Sequence, residues 1–249
     1  MTTKETTPFL PLRGDEGWPA DLERGALDRL FVAAWATIQW PWLLRSLSGG
    51  TKAAKRALLD RLDLPGDALP NLGSWKADTG FLMLAVDAIE RQRPASVVEL
   101  GTGASSLIVG RALGRNGGGR LVSYDQHGGF VAATAAWLAE HGVDAELRVA
   151  PLGPPPPPWR GAWYRLDGVP ATIDLLLIDG PPWTLHPFCR GAAETLFPRL
   201  SVGGTVLLDD GARPGERVVM ARWRRRWPGM RFERVRGGTK GAVIGTRLA

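Results

Sequence analysis

Short aliphatic segments that end in glycine or aspartate constrain the fold of this chain most. The clearest is Ile173–Ile178, which is almost entirely aliphatic, as a parallel strand buried on both faces must be. Similar short strands are predicted at residues 95–100, 121–124, 145–149 and 205–208. Each is followed by a turn rather than by a further apolar run, so these segments are too short to be membrane spans.

Predicted helices alternate with these strands. Helical spacing of apolar residues begins at Phe81 and Leu84, and further helices are predicted at residues 104–113, 130–138, 192–200 and 214–227. Two last strands, 232–235 and 242–245, form an antiparallel pair turned by glycines. The pattern predicts an α/β fold: a Rossmann-like doubly wound sheet, mostly parallel, with a C-terminal antiparallel hairpin. Ligands of such sheets bind at the carboxyl ends of the strands.

The N-terminal part differs in pattern, and we predict two regions. Residues 1–74 form a flexible leader and a helical extension, and residues 75–249 form the main domain. The most apolar stretch, residues 30–44, is 15 residues long. It reaches roughly 22 Å as a helix, short of the ~30 Å bilayer core. We expect a buried helix, with peripheral membrane contact or a homodimer interface as the alternatives.

The first residues and the single cysteine bear on the cellular compartment of the protein. Residues 1–16 are polar and lack the apolar core of a secretory signal. With only Cys189, no intramolecular disulfide can form. Both features predict a cytoplasmic protein.

Five consecutive prolines, Pro154–Pro158, separate the third predicted strand from Ile173–Ile178. Proline cannot occupy a helix interior, because it lacks an N–H and its ring clashes with the preceding turn. We therefore expect a polyproline spacer and a crossover without its usual helix.

A glycine-rich turn follows the first strand, in the sequence Glu99-Leu100-Gly101-Thr102-Gly103. Glycines let the backbone turn tightly and approach a ligand, and the next helix offers free N–H groups at its start, around Ser105 and Ser106. Ser106 stands where a dinucleotide-binding pattern would have glycine, which disfavours a nicotinamide-dependent oxidoreductase.

Acidic side chains end three other strands. Asp125 lies about 20 residues after the glycines and is placed to accept hydrogen bonds from the ribose of a nucleoside, with Gln126 beside it. Asp179 follows one strand, and Asp209 and Asp210 follow the next. Since neighbouring strands lie about 4.8 Å apart, these three carboxylates are candidate ligands for one Mg²⁺ ion. The alternative is that Asp209 or Asp210 caps the next helix or pairs with Arg213 or Arg217.

Taken in order, ELGTG, SYD, IDGPP and GGTVLLDD resemble the class I S-adenosylmethionine-dependent methyltransferases, and most closely their bacterial O-methyltransferase-like subgroup. That group is similar to macrocin- and catechol-type O-methyltransferases. The likeness runs from about Trp75 to the C-terminus. The sequence departs from the family pattern at Ser105, which replaces a frequent glycine, and at Gly180, which two prolines follow.

The resemblance implies S-adenosylmethionine as cofactor and a hydroxyl of a small molecule or glycan as acceptor, with Mg²⁺ as a candidate aid. It implies that Glu99, Gly101, Thr102 and Gly103 hold the methionine part, Asp125 the ribose, and Asp179, Asp209 and Asp210 the metal. Asp179 is also a candidate base. His186, seven residues further on, is a second one, with a solvent-exposed loop histidine as the alternative.

The net charge of +6 favours anionic partners, including an anionic acceptor. Arginines concentrate after residue 213 and invite an RNA-binding interpretation. However, Val219, Trp223 and Trp227 recur at helical spacing and are predicted to face the core, so nucleic acid is disfavoured as a partner. An RNA methyltransferase and a non-catalytic binding domain on the same fold remain the alternative functions.

Overall fold

The computed structural model describes residues 25–249, which form a seven-stranded sheet covered by helices on both faces. The helices are α1 (Ala26–Ser46), α2 (Lys52–Arg61), α3 (Thr79–Gln92), α4 (Ala104–Arg115), α5 (Gly128–Glu140) and α6 (Pro214–Arg226). The strands are β1 (Ser96–Leu100), β2 (Arg120–Asp125), β3 (Glu146–Val149), β4 (Leu152–Gly153), β5 (Trp163–Tyr164), β6 (Ile173–Ile178), β7 (Leu200–Asp209), β8 (Met230–Val235) and β9 (Ala242–Arg247). Within the predicted region 1–74, the flexible leader is expected at residues 1–20, which lie outside the described residues.

The strand order is β3-β2-β1-β6-β7-β9-β8, and the first five strands are parallel. β9 lies antiparallel between β7 and β8. The predicted fold class, with its C-terminal antiparallel hairpin, is therefore confirmed. The chain moves outward from β1 in one direction and then from β6 in the other, so the gap between β1 and β6 is the switch point where this kind of sheet binds ligands.

The apolar runs of the parallel strands are explained by burial on both faces. In β1, Val97 belongs to a core that α2, α3 and α4 cover, whereas Val98 belongs to the core on the opposite face. Successive side chains of a strand point to opposite faces, so both must be apolar here. The residues of α2 contribute Leu58 and Leu59 to the first of these cores, which joins the helical extension to the main domain.

Two segments differ from their sequence predictions. The stretch predicted as a helix over residues 192–200 is a 3₁₀ helix, Cys189–Arg199, and Leu200 already begins β7. It contains Pro198, which removes an N–H from the helical ladder. The proline-rich crossover has no α-helix between β3 and β6 in the described chain, as predicted. It holds the small antiparallel pair β4–β5 instead of a simple spacer.

Helix α1 is more exposed than the predicted buried helix. Leu30, Ile38 and Leu44 are at least half exposed, while Gln39 is fully buried and accepts a hydrogen bond from the backbone N–H of Gly215. The expectation of a buried apolar helix is thus wrong for most of its length, because only one edge of α1 packs on the domain. Among residues 25–249, no helix is long and apolar enough to cross a membrane.

Candidate functional site

The glycine turn after β1 is packed against the turn that follows β6. Gly101 has a φ of 97°, and a Cβ added to it would lie 2.8 Å from the backbone nitrogen of Gly180. The N–H of Gly180 donates to the carbonyl of Leu100 (2.7 Å), and the N–H of Gly101 donates to that of Tyr124 (2.8 Å). A residue other than glycine would be strained here and would push the two turns apart.

Glu99 is fully buried beneath this turn. Its Oε2 accepts hydrogen bonds from the hydroxyls of Ser106 (2.5 Å) and Ser123 (2.6 Å). Ser106 in turn accepts one from the N–H of Gly103 (3.0 Å). Oε1 has no well-formed hydrogen bond among the described residues. Burial raises the pKa of Glu99 to about 7, although the hydroxyls of Ser105, Ser106 and Ser123 oppose the shift.

This raised pKa predicts a specific dependence of stability on pH. Below about pH 4.5 both folded and unfolded states keep the proton. Between about 4.5 and 7 only the unfolded state loses it, so stability falls as the pH rises and is level above that window. The contribution of Glu99 is at most about 3 kcal/mol. The Glu99→Gln variant should lack it.

The measurement is urea unfolding of wild type and Glu99→Gln at several pH values between 5 and 7.5, read as the difference between their unfolding free energies. Taking the difference removes the other titrating groups. Glu140→Gln, an exposed substitution on α5, is the control. A wild-type-minus-variant difference that does not change over this window would contradict the assignment.

Asp125 joins the end of β2 to the glycine turn. Its Oδ2 accepts from the N–H of Thr102 (3.3 Å) and its Oδ1 from the N–H of His127 (2.9 Å). Burial raises the pKa of Asp125, and the N–H groups work against that rise. Gln126 is next to it, and its Oε1 is buried without a hydrogen-bond partner in the described part of the chain. The predicted cofactor residues are thus brought to one edge of the sheet.

Tyr164 is a site residue for which the sequence carried no signal. It lies on β5, in the crossover after the prolines, and its hydroxyl is buried without a hydrogen-bond partner among residues 25–249. The hydroxyl lies so close to Gly180 that a Cβ there would overlap it. Burial first, and then the charges of Asp125 and Asp179, raise the pKa of Tyr164 well above its ordinary value, so the hydroxyl keeps its proton.

The three predicted metal ligands do converge. Oxygens of Asp179, Asp209 and Asp210 all lie within 4.8 Å of one another. Asp210, which directly follows β7, adopts a left-handed φ of 61°, a conformation that aspartate tolerates better than most residues. The metal itself remains a prediction, and basic side chains also reach these oxygens. Arg190 lies 2.9 Å from Asp210, and Lys240 lies 3.5 Å from Asp209.

His186 is buried rather than exposed, which makes the alternative of a solvent-exposed loop histidine wrong. Its ring stacks on Phe31 of α1 at a centroid distance of 5.2 Å and meets Phe188 edge-on. Its Nδ1 accepts from the N–H of Phe188 (3.1 Å). Sequence periodicity could not show this, because the cover comes from α1, about 150 residues away in the chain. Its predicted role as a base remains a prediction.

Comparison with known proteins gives a consistent picture. Residues 98–211 match a family model described as a methyltransferase domain. An O-methyltransferase from Bacillus cereus, solved in complex with SAH, is 14% identical with a TM-score of 0.53, covering 88% of this chain and 100% of that one. An SAH-bound methyltransferase from Podospora anserina is 14% identical with a TM-score of 0.52, covering 93% and 100%. These two likenesses bear on the fold. No curated protein matches the sequence.

Proposed function

This chain is a class I methyltransferase, with a methyltransferase domain at residues 98–211, and we propose that it transfers the methyl group of S-adenosylmethionine to a hydroxyl of a small molecule or glycan. The observation that carries the proposal is the cradle formed by the Gly101–Gly103 turn and Asp125 at the switch point between β1 and β6. S-adenosylmethionine supplies a methyl group on a positively charged sulfur, which an oxygen nucleophile displaces in line.

The residues of the cradle suit such a cofactor. Because Gly101 and Gly103 have no side chain, their backbone can approach the ligand closely. The N-terminus of α4 presents N–H groups that can bind the carboxylate of the cofactor. The unpartnered Oε1 of Glu99 suits an ammonium, and Asp125 suits the hydroxyls of a ribose. Ser105 and Ser106 are buried under the turn and are better placed to hold Glu99 than to contact the cofactor directly.

The unpartnered hydroxyl of Tyr164 adds a donor at this cradle. We expect Tyr164→Phe to weaken S-adenosylmethionine binding by about five- to tenfold, the worth of one hydrogen bond. The unfolding free energy of the free protein should stay the same or rise, because the lost hydroxyl has no partner among residues 25–249. Calorimetric titration and urea unfolding of the same preparation measure both quantities.

Tyr124→Phe is the matched control for Tyr164→Phe. The Tyr124 hydroxyl donates to the carbonyl of Asp167 (3.0 Å), so its loss should lower stability and leave cofactor affinity unchanged. If Tyr164→Phe instead lowers stability and leaves affinity unchanged, the hydroxyl has a structural role only.

The acceptor is proposed to bind beside Asp179. This side chain is 14% exposed, whereas Asp209 and Asp210 are at most 1% exposed, so Asp179 is the carboxylate within reach of a substrate. Asp179 therefore serves as the candidate base that receives the hydroxyl proton. His186 is enclosed by Phe31 and Phe188, and the same role for it requires α1 to move.

The exposed arginines of α6 bear on the nature of the acceptor and on the alternative of an RNA methyltransferase. The arginines of α6 at 217, 224, 225 and 226 are exposed, while Val219 and Trp223 are fully buried. This exposed basic face suits an anionic small molecule or glycan. The aromatic residues that an RNA surface would need lie in the core instead. We also propose that α1 contacts a membrane surface or a second copy of the chain. A cytoplasmic location is likewise a proposal.

Formation of SAH from S-adenosylmethionine, measured with a panel of phenolic, catecholic and sugar hydroxyl acceptors, tests the proposal. We expect micromolar binding of the cofactor and turnover with a hydroxyl acceptor. Cofactor binding without turnover on any acceptor would favour the non-catalytic binding domain. Failure of the folded protein to bind S-adenosylmethionine would overturn the proposal.

A further inference from the structure

A buried cluster of seven charged side chains lies at the carboxyl ends of β6 and β7. We name it the charge cluster, and its members are Asp179, Asp209, Asp210, Glu216, Arg190, Arg213 and Lys240. It contains the three carboxylates that were predicted to bind Mg²⁺, together with Arg213, the predicted alternative partner of Asp209 or Asp210, and two further cations that no sequence pattern connected with them. Six of the seven are at most 5% exposed, and Asp179 alone reaches the surface of the site.

Arg190 is the centre of this cluster. It comes from the 3₁₀ helix, and its Nη1 lies 2.9 Å from Oδ2 of Asp210 and 3.8 Å from Oε1 of Glu216. Its Nη2 lies 3.3 Å from Oδ1 of Asp179 and also donates to the carbonyl of that residue. Its Nε donates to the carbonyl of Pro181 (3.2 Å). One planar guanidinium thus ties the turn after β6 to the end of β7 and to α6.

Two further cations contact the aspartates of the charge cluster. Arg213 lies 2.5 Å from the same oxygen of Asp210 that Arg190 contacts. Lys240, from the turn between β8 and β9, lies 3.5 Å from Asp209 and 3.7 Å from Asp210, and its ammonium is anchored on the carbonyl of Lys76 (2.8 Å). Every carboxylate of the predicted metal site therefore already faces a protein cation.

A divalent ion does not fit this arrangement. Mg²⁺ needs near-octahedral oxygen ligands at about 2.0–2.1 Å, and Oδ2 of Asp210 is shared by two arginines. Only one oxygen each of Asp209 and Asp210 lacks a hydrogen bond in the described chain. A divalent ion among these carboxylates would also be repelled by the three buried cations that already contact them, Arg190, Arg213 and Lys240.

We infer that the guanidinium of Arg190 and the ammonium of Lys240 take the place of a divalent metal ion, and that Arg190 is a positioning residue that orients Asp179 toward the acceptor. The second part rests on the proposed function; the first does not. The cations neutralise Asp209 and Asp210 as a metal would, and the bond from Arg190 fixes the one carboxylate that a substrate can reach. Methyl transfer then proceeds without added metal.

The first part is tested by calorimetric titration of the protein with MnCl₂ and with MgCl₂ after treatment with EDTA. We expect no binding to wild type at millimolar metal. The double variant Arg190→Gln/Lys240→Gln leaves Asp179 and Asp209 without a cation and Asp210 with Arg213 alone. It should bind Mn²⁺ at least about tenfold more tightly than wild type. Micromolar binding to wild type that is lost in Asp209→Asn would overturn the inference.

The matched control is Arg226→Gln. Arg226 lies 2.9 Å from the buried carboxylate of Glu194, which stands apart from the cluster. Its loss leaves one carboxylate without a cation, still hydrogen-bonded to Trp159 and Trp227, and should create no metal site. If the double variant does not fold, Lys240→Gln alone serves, because Arg190 still holds the strands together. A single variant that is folded and gains no Mn²⁺ affinity would contradict the assignment of Lys240.

The positioning role is tested with Arg190→Lys, which keeps the charge and loses the planar fork. We expect kcat to fall at least about tenfold while the affinity for S-adenosylmethionine and the absence of metal binding are unchanged. Equal loss of kcat and of cofactor affinity would mean a purely structural role. Because metal titration needs neither cofactor nor acceptor, failure of the proposed function leaves the metal result standing, and the reverse also holds.

Discussion

Replacing Asp125 by alanine should weaken the binding of S-adenosylmethionine by at least about a hundredfold. In the proposed cofactor site the carboxylate accepts hydrogen bonds from two ribose hydroxyls, and hydrogen bonds to a charged group each contribute about 1.5–3 kcal/mol. The variant also loses the bonds from the N–H groups of Thr102 and His127, which hold the glycine turn in place. Calorimetric titration of wild type and variant with the cofactor measures the effect.

The control for Asp125→Ala is Asp174→Ala, at the opposite end of the sheet. Asp174 accepts hydrogen bonds from the backbone N–H groups of Ala95 and Ser96, at 3.0 Å each. This variant should lose stability to a similar degree and bind the cofactor as wild type does. Equal affinities of Asp125→Ala and wild type would show that the ribose is held elsewhere.

The second large effect is expected in the core beneath α6. Trp223→Ala should lower the unfolding free energy by about 3–5 kcal/mol, as the loss of a fully buried aromatic side chain does. The indole packs against Phe197 and Phe232 with ring centroids 5.0 and 5.6 Å away, and its N–H donates to the carbonyl of Gly191 (2.9 Å). Urea unfolding measures the loss.

Two further variants on α6 separate the contribution of ring packing from that of the hydrogen bond and from that of an exposed position. Trp223→Phe keeps the ring contacts and loses the hydrogen bond, so it should cost less, on the order of 1–2 kcal/mol. Arg225→Ala, on the exposed face of α6, should change stability by less than about 0.5 kcal/mol. A small effect of Trp223→Ala would mean that this residue is available to a partner, which would revive an RNA-binding function for the arginine-rich helix.

The sequence predicted that the carboxyl ends of the strands lie close together, but not most of the cations that face the carboxylates there. Asp179, Asp209 and Asp210 could be brought together from the sequence, because parallel neighbouring strands end at one edge of the sheet. The same rule says nothing about Arg190 and Lys240, which arrive from a 3₁₀ helix and from the β8–β9 turn. A carboxylate cluster in a sequence therefore predicts a site for positive charge, but not whether a metal or a protein cation supplies it.

The spacing of apolar residues predicted burial correctly for strands and helices whose covered faces follow from the layered sheet. It identified β6, which is buried except at Asp174, and the core face of α6, because the spacing of apolar residues follows directly from which faces are covered. It failed for α1, since fifteen largely apolar residues do not reveal how much of a helix the domain covers.

By itself, the sequence determined the order of strands and helices, the glycine turn after β1 and the carboxylates at four strand ends, because local spacing and backbone freedom fix these. Only the tertiary structure decided what surrounds them. It placed the hydroxyl of Tyr164 beside Gly180, enclosed His186 under Phe31 and set Arg190 among the aspartates. These contacts join residues far apart in the chain, and their energies depend on burial and on charge, which no local pattern encodes.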